Sequence, residues 1–181
     1  MKTIEKLVFG ALLAASALGL SAGESGEGKP VALPKLPPAS AEFERLKSLV
    51  GKWQGKVDMG QGTVDMAVEY RLIAGGTVLE ERCFPGTPQE MLTMFYDKDG
   101  KLALTHYCVM GNRPGMVFKS ADAQTIKFAF DENCGINPAK ESHMHALTLR
   151  FNDANTITAS CKAIIGGQEM AEKPTMLKRV L

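Results

Sequence analysis

The sequence has few of the features that mark common enzymes and nucleotide-binding proteins. It contains one tryptophan and three histidines in 181 residues, and its four cysteines form no Cys-x-x-Cys pair. It has no glycine-rich phosphate loop. The neighbouring acids Glu80 and Glu81 would point to opposite faces of a strand, so they cannot form a carboxylate pair for acid–base chemistry. These absences disfavour a redox motif, a zinc knuckle and a nucleotide site.

An excess of charge of either sign is also missing. The chain carries 21 Lys and Arg against 20 Asp and Glu, a net charge of +1. Without residues 1–22, which contain two lysines and one glutamate, the net charge is zero. Proteins that bind phosphate backbones need a basic footprint. Nucleic acid is therefore not expected as a partner.

The N-terminus predicts a secretory signal peptide over residues 1–22. Lys2 and Lys6 provide the basic region, an uncharged apolar run follows over residues 7–20, and Ala22 is a small residue before the cleavage point. The run is shorter than the roughly 20 residues of a membrane-spanning helix, so no membrane span is expected after cleavage. We expect an exported protein, periplasmic or extracellular, with residues 23–40 as a flexible linker rich in Gly, Pro, Ser and Glu.

The remaining chain, residues 41–181, predicts one all-β domain. Ser40 is a good N-cap for a short helix whose stripe of Phe43, Leu46 and Leu49 can cap a core. Beyond Gly51, apolar alternations are separated by turn signals at regular spacing, which favours about ten antiparallel strands. A meander of this length removes its edges by closing, so we expect an up-and-down β-barrel with a short N-terminal capping helix.

Several stretches carry a resemblance to a known family. Gly51-Lys52-Trp53, directly after the short helix, is similar to the Gly-x-Trp signature of the calycins, which include lipocalins and fatty-acid-binding proteins. Residues 84–88, 105–112 and 143–149 look like those of exported bacterial calycin-like proteins of unknown function. The resemblance covers roughly residues 41–181. It implies a barrel around an internal cavity and structural roles for Gly51 and Trp53, but it assigns no reaction.

Strand order predicts that the reactive side chains gather at one rim. The third, fifth, seventh and ninth strands of a meander end together, where the eighth begins. His106 shares a strand face with Leu104, and His143 and His145 share one with Leu147, so we expect both sets to face inward. The predicted ligand-binding residues at this mouth are His106, Tyr107, Cys108, His143 and His145.

The cysteines and histidines leave alternatives open. Exported proteins favour disulfides, so Cys83, Cys108, Cys134 and Cys161 could pair in any of three connectivities, or remain buried free thiols. His106, His143 and His145 could hold zinc, or a haem by analogy with a neighbouring calycin family. They could equally hydrogen-bond loop backbone around a polar mouth.

The expected function is therefore binding of a small, largely apolar molecule inside the barrel, and the sequence does not decide whether any reaction is catalysed. The alternatives are a metal- or haem-binding barrel, with or without enzymatic activity, and a structural envelope protein that has no ligand. No feature of the sequence identifies the ligand.

Overall fold

A computed structural model describes residues 35–60 and 62–181 of the chain. The predicted signal peptide and most of the predicted linker lie outside this part. One short α-helix, α1 (Ala41–Leu46), continues as a 3₁₀ turn over Lys47–Leu49. Eleven strands follow: β1 Gly51–Asp58, β2 Thr63–Ile73, β3 Val78–Cys83, β4 Met91–Lys98, β5 Lys101–Tyr107, β6 Gly115–Ala121, β7 Thr125–Phe130, β8 His143–Asp153, β9 Thr156–Ile165, β10 Gln168–Glu169 and β11 Lys173–Arg179.

Ten strands close into an antiparallel barrel. Each of β1 to β9 pairs with its successor in the chain, and β11 closes the ring between β9 and β1. The two-residue strand β10 extends the β9 hairpin beyond the wall. The predicted fold class is thus confirmed. The predicted last strand, residues 168–180, is instead divided, because its first residues stay paired with the end of β9 and only residues from Lys173 onward join the wall. None of the helices among the described residues has the length and apolar character needed to span a membrane.

The helix closes one end of the barrel, as predicted. The Ser40 hydroxyl accepts from the Phe43 amide at 3.1 Å, which caps α1. The same residue donates through its amide and hydroxyl to Asp97 at the end of β4, at 2.6 and 2.7 Å. Arg45 donates to the carbonyls of Asp122 and Thr125 in the β6–β7 turn. We call the opposite end, where β3, β5, β7 and β9 end, the mouth.

Trp53 joins the helix to the wall. Its indole Nε1 donates to the Leu49 carbonyl at 2.7 Å, and the Arg179 guanidinium lies over its ring, 4.3 Å from the centroid. Arg179 also donates to the carbonyls of Val50 at 2.8 Å and Ser48 at 2.6 Å. Gly51 has a φ of +130°, and a Cβ there would lie 3.0 Å from Arg179 Nη1. These contacts agree with the structural roles predicted for Gly51 and Trp53.

The barrel interior is packed near α1 and more open near the mouth. Side chains of the closed half are almost fully buried and form one apolar cluster, which includes Phe43, Leu46, Leu49, Trp53, Leu79, Phe95, Leu104, Phe128 and Leu149. Val64, by contrast, is 43% exposed although strand alternation places it on the same interior face as the buried Val68. Solvent therefore reaches the interior face at the mouth.

We expect Trp53→Ala to lower the free energy of unfolding by about 3–5 kcal/mol, because it leaves a large cavity and removes the link to Leu49. Denaturant unfolding followed by circular dichroism measures this loss. Val117→Ala, at a side chain 39% exposed on the outer wall, is the control and should change stability by less than about 0.5 kcal/mol. Equal stability of the two variants would contradict this role of Trp53.

Candidate ligand site in the barrel interior

Four polar side chains lie side by side on the interior wall. The register places Tyr70 of β2 opposite Glu81 of β3, Glu81 opposite Thr93 of β4, and Thr93 opposite His106 of β5. Opposite residues of antiparallel strands point to the same face, so the four form one continuous row. All four are buried. We call this set the polar row.

The polar row marks a boundary between two parts of the interior. One layer nearer to α1, Leu79, Phe95 and Leu104 are opposite one another and almost fully buried. One layer nearer to the mouth, Cys83 lies opposite Met91. The row therefore stands where the packed apolar core ends. Its polar atoms are available to a molecule that occupies the mouth half.

Hydrogen bonds connect the members of the row. The Tyr70 hydroxyl donates to Glu81 Oε1 at 2.5 Å. Thr93 Oγ1 and His106 Nδ1 are 3.0 Å apart. The Thr93 hydroxyl and the Cys83 thiol also form hydrogen bonds with the Glu81 carboxylate. Buried polar groups require such partners, because an unpaired one costs about 1–3 kcal/mol.

Burial controls the protonation of the row. Loss of hydration raises the pKa of Glu81, although the hydrogen bonds from Tyr70, Thr93 and Cys83 oppose this rise. Burial and the nearby Glu81 raise the pKa of Tyr70 well above its usual range. Burial lowers the pKa of His106 to about 4. His106 is therefore a neutral imidazole at physiological pH.

One imidazole nitrogen of His106 is engaged within the row and the other is not. Nδ1 lies 3.0 Å from Thr93 Oγ1. Among residues 35–60 and 62–181, Nε2 has no hydrogen-bond partner, and it is not a fully buried orphan atom. Nε2 is therefore left for a ligand in the barrel interior.

Cys161 indicates that the mouth half is accessible. It lies on β9 opposite Leu147, a member of the apolar core, and so points inward. Its side chain is nevertheless exposed. Protein still surrounds it, because burial raises the pKa of its thiol to about 12, with Glu81 and Cys108 contributing. An exposed thiol on an interior face shows that solvent enters the barrel at this level.

All four cysteines are free thiols in the structure, so the expected disulfides among Cys83, Cys108, Cys134 and Cys161 are not seen. Cys83 and Cys161 face the interior, and Cys161 contributes to the raised pKa of Cys83. Cys134 lies elsewhere, packed near Gly115 and lining a groove on the outer wall. The thiols of the mouth half are thus part of its lining rather than a covalent clamp.

A β-bulge in β8 determines how His143 and His145 are placed. The β8–β9 register shifts between Met144 and Ala146, so His145 is an extra residue in a β-bulge. The bulge reverses the alternation, and Met144 joins Leu147 in the apolar core. Single-sequence alternation cannot locate such an insertion.

The two β8 histidines form a small cluster at the rim of the mouth. His143 Nε2 lies 3.2 Å from His145 Nδ1, and His143 Nδ1 lies 2.7 Å from the Glu141 carbonyl. Both rings pack on Phe130, with centroids at 4.5 and 5.3 Å. A hydrogen bond also joins the β5–β6 and β7–β8 loops here, because Asn112 donates to the Ser142 carbonyl at 2.8 Å. This cluster fixes the long β7–β8 loop against the barrel.

The predicted mouth set is therefore divided among three places. His106 belongs to the polar row, His143 and His145 to the rim, and Tyr107 to the outer wall, where it is 44% exposed. Cys108 lies just past β5, near enough to Cys161 to affect its pKa. Within the described part of the chain, no three or more His, Cys, Asp or Glu side chains are placed to hold a metal ion. The three histidines thus form no common ligand set in this structure.

Two grooves of about 280 and 440 Å³ lie on the outer wall between β4, β5 and β6. Tyr107, Arg113 and Cys134 line the smaller one. Strands β5 and β6 pair at only three positions, which leaves the wall open to solvent there. No member of the polar row lines either groove.

Comparison with known proteins supports the fold alone. No family model and no curated protein matches the chain. Among solved structures, the chain is similar to Rv2717c from M. tuberculosis, with a TM-score of 0.52 and 14% identity over 80% of this chain and 100% of that one. The barrel fits the calycin resemblance, although no family match confirms it.

Sequence reasoning missed three members of the polar row: Tyr70, Glu81 and Thr93. A signal was present, because Leu79, Glu81 and Cys83 alternate along one strand and two of them are apolar. That pattern places Glu81 on the interior face. The partners of Glu81 on β2 and β4 follow from the strand register, which cannot be read from the sequence.

His106 makes stability depend on pH. Its pKa falls from the usual 6.5 to about 4 on folding, so between these values the unfolded chain binds more protons. The free energy of unfolding should fall as the pH drops through this window, by about 3 kcal/mol for the full difference. Urea unfolding at pH 7 and pH 4.5 should show about 2 kcal/mol more acid loss in the wild type than in His106→Gln. The same loss in both proteins would contradict a neutral buried His106.

Proposed function

We propose that this protein is an exported barrel that binds a small, largely apolar molecule in the mouth half of its interior. The observation that carries the proposal is the position of the polar row, where the packed core ends and the accessible interior begins. Export itself rests on the N-terminal pattern, and an N-terminus at Gly23 in the mature protein would support it.

The wall of the mouth half suits an apolar ligand. Cys83 lies opposite Met91, and Met144 and Leu147 belong to the same interior face of β8. Met66 is partly buried against the core. Thioether and aliphatic groups adapt to ligands of irregular shape. A few polar groups within an apolar wall are typical of small-molecule sites, where they fix the orientation of the ligand.

The chemistry of the site favours binding over nucleophilic catalysis. A cysteine nucleophile acts as a thiolate and needs a lowered pKa. Burial instead raises the pKa of Cys83 well above its usual range and that of Cys161 to about 12. The neutral His106 imidazole contacts the hydroxyl of Thr93 rather than either thiol. The side chains are therefore arranged to recognise a ligand, not to attack it.

A bulky side chain introduced into the mouth half tests the site. Nile red, an uncharged apolar dye, should bind the wild type with enhanced fluorescence, and Cys161→Phe should weaken its binding at least tenfold because the ring fills the accessible interior. Ser160→Phe is the matched control, since residue 160 points to the opposite face of β9. Fluorescence titration measures both. Equal binding by the two variants, or none by the wild type, would oppose an interior site and favour a structural protein.

Haem or metal binding is the second candidate, and the unpaired His106 Nε2 favours it. A neutral imidazole whose other nitrogen is held by a hydrogen bond is the usual form of a metal-binding histidine. Protein purified after export, without added metal or chelator, should then carry a Soret band or stoichiometric zinc. His106→Leu should abolish that signal, while His145→Leu should keep it. A wild type without either signal would remove this candidate.

A further inference from the structure

We infer that the interior ligand carries an ammonium group, so that its class is an apolar amine whose N–H groups donate to Glu81 and His106. The inference rests on the proposed function, because it names the polar end of the molecule that would occupy the mouth half. It depends on which polar atoms remain free in the polar row and on the charges that face them.

Glu81 and His106 can both accept hydrogen bonds from a ligand. The Tyr70 hydroxyl donates to Glu81 Oε1, and the carboxylate has further lone pairs. His106 Nδ1 lies beside the Thr93 hydroxyl, so a neutral imidazole with its proton on Nδ1 offers the Nε2 lone pair. A ligand at this site must therefore bring donors.

The two acceptors lie on either side of one residue. Glu81 and His106 flank Thr93 from the two adjacent strands and point to the same interior face. His106 Nδ1 lies 3.0 Å from the Thr93 hydroxyl, and Thr93 also opposes the rise that burial causes in the pKa of Glu81. A primary ammonium has three N–H donors, whereas an alcohol has one. The ammonium therefore matches two acceptors that an alcohol cannot satisfy together.

The charges around the row disfavour an anionic ligand. The groups that face Glu81 are Tyr70, Cys83, His106 and Cys161, and none of them is positive at neutral pH. A carboxylate or phosphate ligand would have no cation to pair with there, and burying an unpaired charge is costly.

The nearest basic side chains have other partners. Lys173, opposite Cys161 on the wall, is bound by Asp58 at 2.9 Å. Arg179 is held at the closed end by the Val50 and Ser48 carbonyls. Arg71 lies on the outer face and pairs with Glu80 at 2.7 Å. None of these basic groups is among the charges that shift the pKa of Tyr70, Glu81 or Cys83.

A bound cation would also offset the free-energy cost of burying the ionised Glu81 carboxylate. Desolvation raises the pKa of this carboxyl, so its ionised form lacks a counter-charge. An ammonium supplies that charge through hydrogen bonds that are roughly twice as strong as neutral ones. Binding would then be coupled to ionisation of Glu81, and amine affinity should rise with pH until the amine itself loses its proton.

Three ligands with the same tail and different heads test the inference: octylamine, octanol and octanoate, each below its micelle concentration, in competition with Nile red at pH 7.5. Octylamine should displace the dye at a concentration at least tenfold lower than octanol, and octanoate should be the weakest. Octanol or octanoate equal to or better than octylamine would overturn the inference and leave the proposed function standing. Failure of Nile red to bind at all would instead remove the proposed function.

Two neighbouring carboxylates provide the matched variants. Glu81→Gln should reduce the preference for octylamine over octanol to within about twofold, with each competition referred to the Nile red affinity of the same variant. Glu80→Gln, which removes a carboxylate on the outer face, should keep the full preference. If Glu81→Gln does not fold, the same competition on the wild type at two pH values provides the test. Its preference for octylamine over octanol should fall at least fivefold between pH 7.5 and pH 5. A preference that is constant with pH, or equally lost in both variants, would overturn the inference.

Discussion

The contact between Trp53 and the end of α1 is the constraint on which the rest of the structure depends. Its indole holds the Leu49 carbonyl, and Arg179 from the last strand covers the ring while binding the carbonyls of Ser48 and Val50. The first strand, the last strand and the helix therefore meet at one point. This point closes the ring of strands and seals one end of the barrel.

Sealing one end divides the interior into two regions with different chemistry. Near α1 the side chains are apolar and almost fully buried, so this half supplies most of the hydrophobic stabilisation. Toward the mouth, the polar row is followed by thiols and thioethers with residual exposure. Register assembles the row, because residues opposite one another on neighbouring strands point to the same face. One interior row can therefore collect Tyr70, Glu81, Thr93 and His106 from four separate strands.

Much of the fold, but little of the site, could be predicted from the sequence. Turn signals and alternation located the strands, and alternation on β5 correctly placed His106 beside Leu104 on the interior face. The placement of His143 and His145 could not be derived in the same way, because one bulge residue reverses every side chain beyond it. Glu81 was missed as a site residue because its partners on β2 and β4 are distant in sequence.

The sealed end has a consequence for how the barrel exchanges its contents. With Phe43, Leu46 and Leu49 packed across one end, a molecule that reaches the polar row has to leave by the route through which it arrived. Under the proposed function, the barrel would thus be a container and not a conduit. Entry and release would both pass the rim, where the paired imidazoles on Phe130 and the Asn112–Ser142 link hold the loops in place. A change at the rim would therefore alter both rates by the same factor and leave the equilibrium affinity, which the interior contacts set, unchanged.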